Sequence, residues 1–455
     1  MKGDRARAIL QLTAGTAVFV ALHADVTWAD TVLSASESQP AAGGGGEVSE
    51  ADLEAEPSLD AVLRYAVQHN PGIRAADHVW QAARQRITSQ RAYENPVVTY
   101  APNTGNMAET RAGPQENGVG FSQAIPFPGK LTLRGDVADE QARAAYERLQ
   151  ATTQEISRRV RAHYADYYLA ARSLTINANT TDLAREFAAI ADAKYRVGKA
   201  AQQDVILAQV EISRLAAERV VFDGDHESSL GTLNALLDRA PRAPLGRPAD
   251  LHAAELTVGL DDLVETAHRA RPELKEQDDF VEASRQSLRL AKMGYLPDFI
   301  LGGQYIEIGG GTNPTFSKDG QDIWMAMLGF SVPIWVDRVQ AEIGEMHARV
   351  MAEQSRRREL TNQVYDEAQR AYEQVRVAAR TEKIYRTTLI PQTQERVGAA
   401  RAGYQTGVVD FLTLIDSLTS LEDTQLEHDR TVRNYQRAVA DLERAVGEPI
   451  AGAAQ

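Results

Sequence analysis

Residues 59–96 read LDAVLRYAVQHNPGIRAADHVWQAARQRITSQRAYENP, and residues 260–297 read LDDLVETAHRARPELKEQDDFVEASRQSLRLAKMGYLP. Leu59, Asp60, Ala66, Pro71, Ala82, Arg84, Gln85 and Pro96 recur 201 positions later as Leu260, Asp261, Ala267, Pro272, Ala283, Arg285, Gln286 and Pro297. Farther on, Gly120-Phe121-Ser122 recurs as Gly329-Phe330-Ser331, and Tyr195-x-x-Gly198 as Tyr404-x-x-Gly407, now 209 apart. The eight extra residues fall between Pro297 and Gly329, in a Gly-rich stretch that reads as a loop. Two long copies with one insertion mark a duplicated architecture.

Each copy predicts the same order of elements. A short helix (Leu59–His69; Leu260–Ala270) meets a proline, and a second helix follows (Gly72–Tyr93; Glu273–Tyr295). Two strand-like runs flank a polar loop: Val97–Tyr100 and Gly118–Ile125, then Phe299–Ile308 and Ile323–Val332. Pro126 and Pro333 close the second strand of each pair. Very long helices complete each copy, over Gly135–Val197 and Asp337–Gln405, with Pro391 their one proline. Gly198 and Gly407 interrupt them before helices of about 40 residues resume. In the last helix Phe411, Leu414, Leu418, Leu421, Gln425, His428, Val432, Tyr435, Val439, Leu442 and Val446 step by 3 and 4. That 3.5-residue period belongs to helices supercoiled on neighbours. Ile156, Val160, His163, Tyr167, Ala170 and Leu174 repeat the pattern in the first copy.

Composition narrows function. The 455 residues carry a formal charge of −14, the wrong sign for a nucleic-acid partner. There is no cysteine, which excludes disulfides, thiol catalysis and N-terminal lipidation at a Cys. Lys2, Arg5 and Arg7 precede an apolar run over Ala8–Leu22, and Thr27-Trp28-Ala29 suits cleavage, so residues 1–29 read as a secretory signal peptide. The mature chain then stands at −15. Residues 30–57, with Gly43 to Gly46 in a row, read as a flexible linker, 58–258 and 259–450 as the two repeats, and 451–455 as a tail. No later apolar run reaches the ~20 residues of a membrane helix, so any span must use strands. Four strands cannot close a barrel alone; three chains would pool twelve.

The chain resembles the TolC-like outer membrane factor family over about residues 58–450. Phe121-Ser-Gln-Ala-Ile-Pro-Phe-Pro-Gly-Lys130 resembles its strand-to-helix crossover, and Tyr295-Leu-Pro-Asp298 its entry to the second hairpin. Tyr195-Arg-Val-Gly198 and Tyr404-Gln-Thr-Gly407 resemble its turns between paired long helices. Both junction motifs look most like the heavy-metal branch, of the cobalt–zinc–cadmium and copper–silver type. The resemblance implies a mainly α chain with a transmembrane β-barrel. It implies a homotrimer with a 12-stranded barrel in outer membrane lipid above an α-helical periplasmic tunnel. A periplasmic adaptor and an inner-membrane resistance–nodulation–division pump would be its partners. The implied role is a passive exit duct for heavy-metal cations, with drug efflux or type I protein secretion as sibling cargoes. A soluble periplasmic coiled-coil scaffold is the alternative of another class.

The resemblance also places candidate residues. Family gate aspartates follow the second glycine turn by six and nine positions, where this chain has Thr413 and Asp416. Asp410, and Asp204 in the first copy, could supply further carboxylates to a cation-attracting periplasmic gate. The bland reading of Asp204 and Asp410 is helix capping. Tyr195, Gly198, Tyr404 and Gly407 mark the tips expected to meet the adaptor, and the glycines also suit tight turns. No cofactor and no metal site are expected. The mature chain's eight histidines include no pair three or four apart, and no hydrolase, P-loop or dinucleotide fingerprint occurs. His163 and His428 read as core or interface residues.

Overall fold

The computed structural model describes residues 49–55, 57–102, 109–110, 113–309 and 320–450. The expected signal peptide, residues 30–48 of the expected linker, much of the loop insertion and the expected tail lie outside these residues. The end of the expected linker departs from the flexible reading. Glu50–Glu54 is a helical turn (α1), capped by Ser49 and Asp52. Leu53 within it is fully buried, and its carbonyl accepts from the Gly246 N–H at 2.9 Å.

The first repeat runs α2 (Leu59–His69), α3 (Pro71–Arg91), β1 (Val97–Pro102), β2 (Glu109–Thr110), β3 (Gly113–Ile125), α4 (Lys130–Arg196) and α5 (Gln202–Leu236). The second runs α6 (Leu260–Ala270), α7 (Pro272–Lys292), β4 (Phe299–Ile308), β5 (Ile323–Phe330), α8 (Val336–Ile384), α9 (Ile390–Thr406) and α10 (Phe411–Val446). Helix α4 has 67 residues, which at 1.5 Å per residue spans roughly 100 Å. It begins at Lys130, five residues before the expected start. Gly135 is interior, where a Cβ would lie 2.3 Å from the Arg91 side chain, so it serves close packing of α3 on α4. Pro391 does interrupt the other long helix. Its ring and missing N–H disturb the preceding turn, and the backbone widens into a π-helical turn at Tyr385–Leu389, with Ile390 N–H bonded to the Tyr385 carbonyl.

The duplication is visible in three dimensions. Asn70 caps α3 through Gly72 N–H at 2.8 Å, and its Nδ2 donates to the Leu236 carbonyl at the end of α5. The matching residue, Arg271, donates to the Ala445 carbonyl at the end of α10. It is buried and ion-paired to Glu273 at 3.2 Å and Glu367 at 2.7 Å. Arg444 joins the same carboxylates and Glu155 of α4. The heptad seam of α10 is the core: Phe411, Leu414, Leu418, Leu421, Val432, Tyr435, Val439, Leu442 and Val446 are all buried, while Gln425 and His428 are half-buried.

The strands form one antiparallel sheet in the order β1-β3-β4-β5, with the two-residue β2 pairing antiparallel with the start of β3. Strand β3 thus pairs with β4 and fuses the copies, while β1 and β5 are free edges within the described chain. The register gives the two faces different characters. Val98, Phe121, Gly303 and Ala326 share one level, and Tyr100, Val119, Tyr305 and Trp324 the next. That face is aromatic and apolar, and it is uncovered: Tyr100 is 64% exposed, Trp324 80% and Leu328 74%. The opposite face carries Thr99, Gly118, Gly120, Ser122, Gly302 and Gln304 among its aliphatic residues. The sheet thus has one aromatic, apolar face, one face where small and polar residues mix with apolar ones such as Ile300 and Met327, and two edges, β1 and β5, left free within the described chain.

The two junction motifs meet at the foot of this sheet. Asp298 accepts from the Phe127 N–H at 2.7 Å and from Lys130 Nζ at 2.8 Å, and Lys130 also donates to the Leu296 carbonyl. Ser331 donates its N–H to the Asp298 carbonyl at 2.8 Å. Burial opposes the Asp298 charge, but Lys130 and the Phe127 N–H outweigh it and hold the carboxyl below the usual carboxylate range. One aspartate therefore ties the bases of β3, β4 and β5 to the first turn of α4.

Candidate functional site

Far from the sheet, the long helices turn at two adjacent tips. At the first, Gly198 takes φ 71° and donates its N–H to the Tyr195 carbonyl at 2.9 Å. At the second, Gly407 takes φ 85°, and Val408 N–H reaches the Gly403 carbonyl at 2.9 Å. A Cβ at either glycine would meet nothing within 4 Å, so the left-handed backbone alone demands glycine. Gly407→Ala is expected to cost about 1 kcal/mol of tip stability and to lower the thermal midpoint slightly, read by thermal unfolding in detergent.

Beneath the turns, α4, α5, α9 and α10 share one apolar cluster that includes Phe187, Leu215, Val397, Tyr404, Phe411, Leu414 and Leu418. The two repeats' hairpins are thus packed on each other. The paired tyrosines part company here. Tyr195 is 44% exposed, whereas Tyr404 is 3% exposed. Tyr404, expected beside a tip that meets an adaptor, turns its ring inward: it packs edge-on to Phe411, and Lys194 sits over it at 4.3 Å. Its hydroxyl donates to Asp204 Oδ2 at 3.0 Å, linking the second repeat to the first. Burial first, then the Asp204 carboxylate, push the Tyr404 phenol up, so it keeps its proton as a donor. Lys194 adds a second tie, to the Tyr404 carbonyl.

The three aspartates occupy three different settings. Asp410 caps α10, accepting from the Thr413 N–H at 2.8 Å. Hydrogen bonding from the Thr413 side chain, and then from its N–H, holds the Asp410 carboxyl below the usual range. Asp204 is half-buried under Tyr404. Asp416 is exposed and paired with Arg396 of α9. Arg401 of α9 reaches Glu186 of α4, a further tie between repeats. Higher up, Arg214 of α5 bridges Glu211 of its own helix at 2.7 Å and Glu422 of α10 at 2.8 Å. Arg396, Arg401, Lys194 and Arg214 were invisible as site residues in the sequence, because each partner lies on another helix or at a spacing common to any helical surface. Among the described residues no group of three His, Asp or Glu side chains is gathered to hold a metal ion, and no helix is long and apolar enough to cross a membrane.

Long paired helices closed at one end and an open-edged, greasy-faced sheet at the other define a protomer of a membrane duct. The chain belongs to the outer membrane efflux protein family, which it matches over residues 62–239 and 263–448. It is similar to the cobalt-zinc-cadmium resistance protein CzcC of Cupriavidus metallidurans, 21% identical over 405 residues, covering 86% of this chain and 90% of that one. Among solved structures it is similar to CusC, with a TM-score of 0.73 at 18% identity, covering 90% of this chain and 98% of that chain. The Campylobacter jejuni CmeC outer membrane channel gives a TM-score of 0.69 at 15% identity, each chain covered over 90%. The protein is an outer membrane efflux channel, an exit duct with a mainly helical fold and a small sheet.

Proposed function

We propose that three copies of the chain close a 12-stranded barrel and a continuous helical tunnel, and that the assembly is the exit duct for heavy-metal cations in a tripartite system. The open edges of β1 and β5 carry the assembly reading, since exposed strand edges are not tolerated in lipid and twelve strands make an acceptable barrel. The likeness to CzcC supports the cargo, together with the joined junction motifs around Asp298. A duct supplies no energy, so an inner-membrane resistance–nodulation–division pump drives export and a periplasmic adaptor connects the two. The tip turns at Tyr195, Gly198 and Gly407 are the adaptor's landing points, with Val197 and Val408, 67% and 83% exposed, beside them.

The tip is also the gate in this reading. Tyr404–Asp204 latches the two hairpins of each chain, and Asp416, repeated around a three-fold axis, lines the constriction with Arg396 as its counter-ion. Asp410 serves mainly as the cap of α10. Deleting the gene is expected to sensitise cells to one or more of zinc, cadmium, cobalt, copper and silver in a growth screen, with rescue by the intact chain. Sensitivity confined to organic drugs would contradict the metal cargo while leaving the duct intact.

A further inference from the structure

A buried charge cluster midway along the second repeat is unused by the duct reading. His428 of α10 touches two carboxylates at once: Nδ1 lies 2.8 Å from Asp429 Oδ1, and Nε2 lies 3.3 Å from Glu382 Oε1. Both acidic residues are sealed, Asp429 at 1% and Glu382 at 3% exposure. Arg172 of α4 donates to Asp429 at 3.0 Å, and Arg386 donates to Glu382 at 2.8 Å. Tyr168 of α4 and Asp250, in the segment between α5 and α6, complete the titratable surroundings.

Glu382 is in the last turn of α8, directly before the π-helical turn Tyr385–Leu389, and Arg386 is inside that turn. Turns of this kind are locally weak and recur where function needs a hinge. A neutral imidazole has one N–H, so it serves one carboxylate and turns a lone pair to the other. Only the imidazolium donates from both nitrogens.

We propose that His428 is a proton-operated brace that ties the π-helical hinge between α8 and α9 to α10 when protonated and lets the hinge yield when it loses that proton. Burial opposes the charge, but Asp429 and then Glu382 outweigh it and raise the His428 pKa above its ordinary 6.5. The brace is therefore complete below that pH and is lost as pH rises through the raised value. Since the hinge leads into α9 and the tip, its loosening would favour movement of the second hairpin.

The test needs no cargo and no conductance. Amide hydrogen exchange of residues 385–390 is followed against pH in the full chain in detergent, corrected for intrinsic base catalysis. Protection in the wild type should fall as pH rises through the His428 transition. His428→Gln should show the low protection at every pH, with peptides from α4 unchanged. Glu382→Gln should move the midpoint down, because one facing charge is gone. A pH-independent wild type, or the same profile in His428→Gln, overturns the brace. If His428→Gln does not fold, an unmoved midpoint in Glu382→Gln overturns it alone.

Discussion

Phe121→Arg is expected to abolish stable insertion in the outer membrane, while Ser122→Arg, one residue along β3, inserts normally. The two side chains point to opposite faces of one strand. Phe121 sits at the level of Val98, Gly303 and Ala326 on the aromatic face, four residues above the foot of the strand at Ile125. That height is near the middle of an apolar band about 25 Å tall. An arginine there costs about 2–4 kcal/mol per chain, and roughly three times that in a trimer. Against a total stability on the order of 5–15 kcal/mol, such a loss decides whether the assembly exists. Ser122 shares its face with Gly302 and Thr99's partner Gly120, and in the proposed barrel an added charge there would meet a water-filled lumen. The measurement is the fraction of each variant recovered in outer membranes as a heat-modifiable band. Equal recovery of both variants would mean that the two faces are not lipid and water.

Tyr404→Phe is expected to raise the open fraction of the channel by at least tenfold. The phenyl ring keeps its packing against Phe411, whose centroid lies 5.1 Å away, so the fold persists. What goes is the hydrogen bond to Asp204, leaving a half-buried carboxylate without that donor. Bonds to charged groups contribute about 1.5–3 kcal/mol, and 1.4 kcal/mol is a factor of ten. Because the phenol keeps its proton, the wild-type latch should not open merely by mild alkalinity, in contrast to the hinge at His428. Single-channel recordings in planar bilayers, and antibiotic entry in cells, read the effect. A closed, wild-type record from Tyr404→Phe would remove the latch from the gate.

The order of elements was legible because repeats and periodicity are local. The 201-residue echo, the alternation of steps of 3 and 4, and the proline closing β3 each reported on a neighbourhood of the chain, whereas β5 stops at Phe330, short of the expected Val332. Helix boundaries at Leu59–His69 and Leu260–Ala270 and strand β4 fell where expected. Gly135 misled because a glycine in a helix reads as a start, and only the approach of Arg91 shows that it is a packing site. The tip was half legible. Glycine at positions 198 and 407 announces the turns, but nothing near Tyr404 or Asp204 announces their bond, which spans 200 residues. Two tyrosines at equivalent repeat positions have opposite fates because the second hairpin packs its tip against the first, and a duplicated sequence does not reveal which copy is buried.

The mass of the protein extracted from outer membranes in mild detergent bears most directly on the central claim. The account predicts a particle of three chains, about 150 kDa from three copies of the 49.8 kDa chain, less any signal peptide removed and apart from bound detergent. A stable single chain, soluble without detergent, would contradict it, since one four-stranded sheet with two open edges cannot remain in lipid alone.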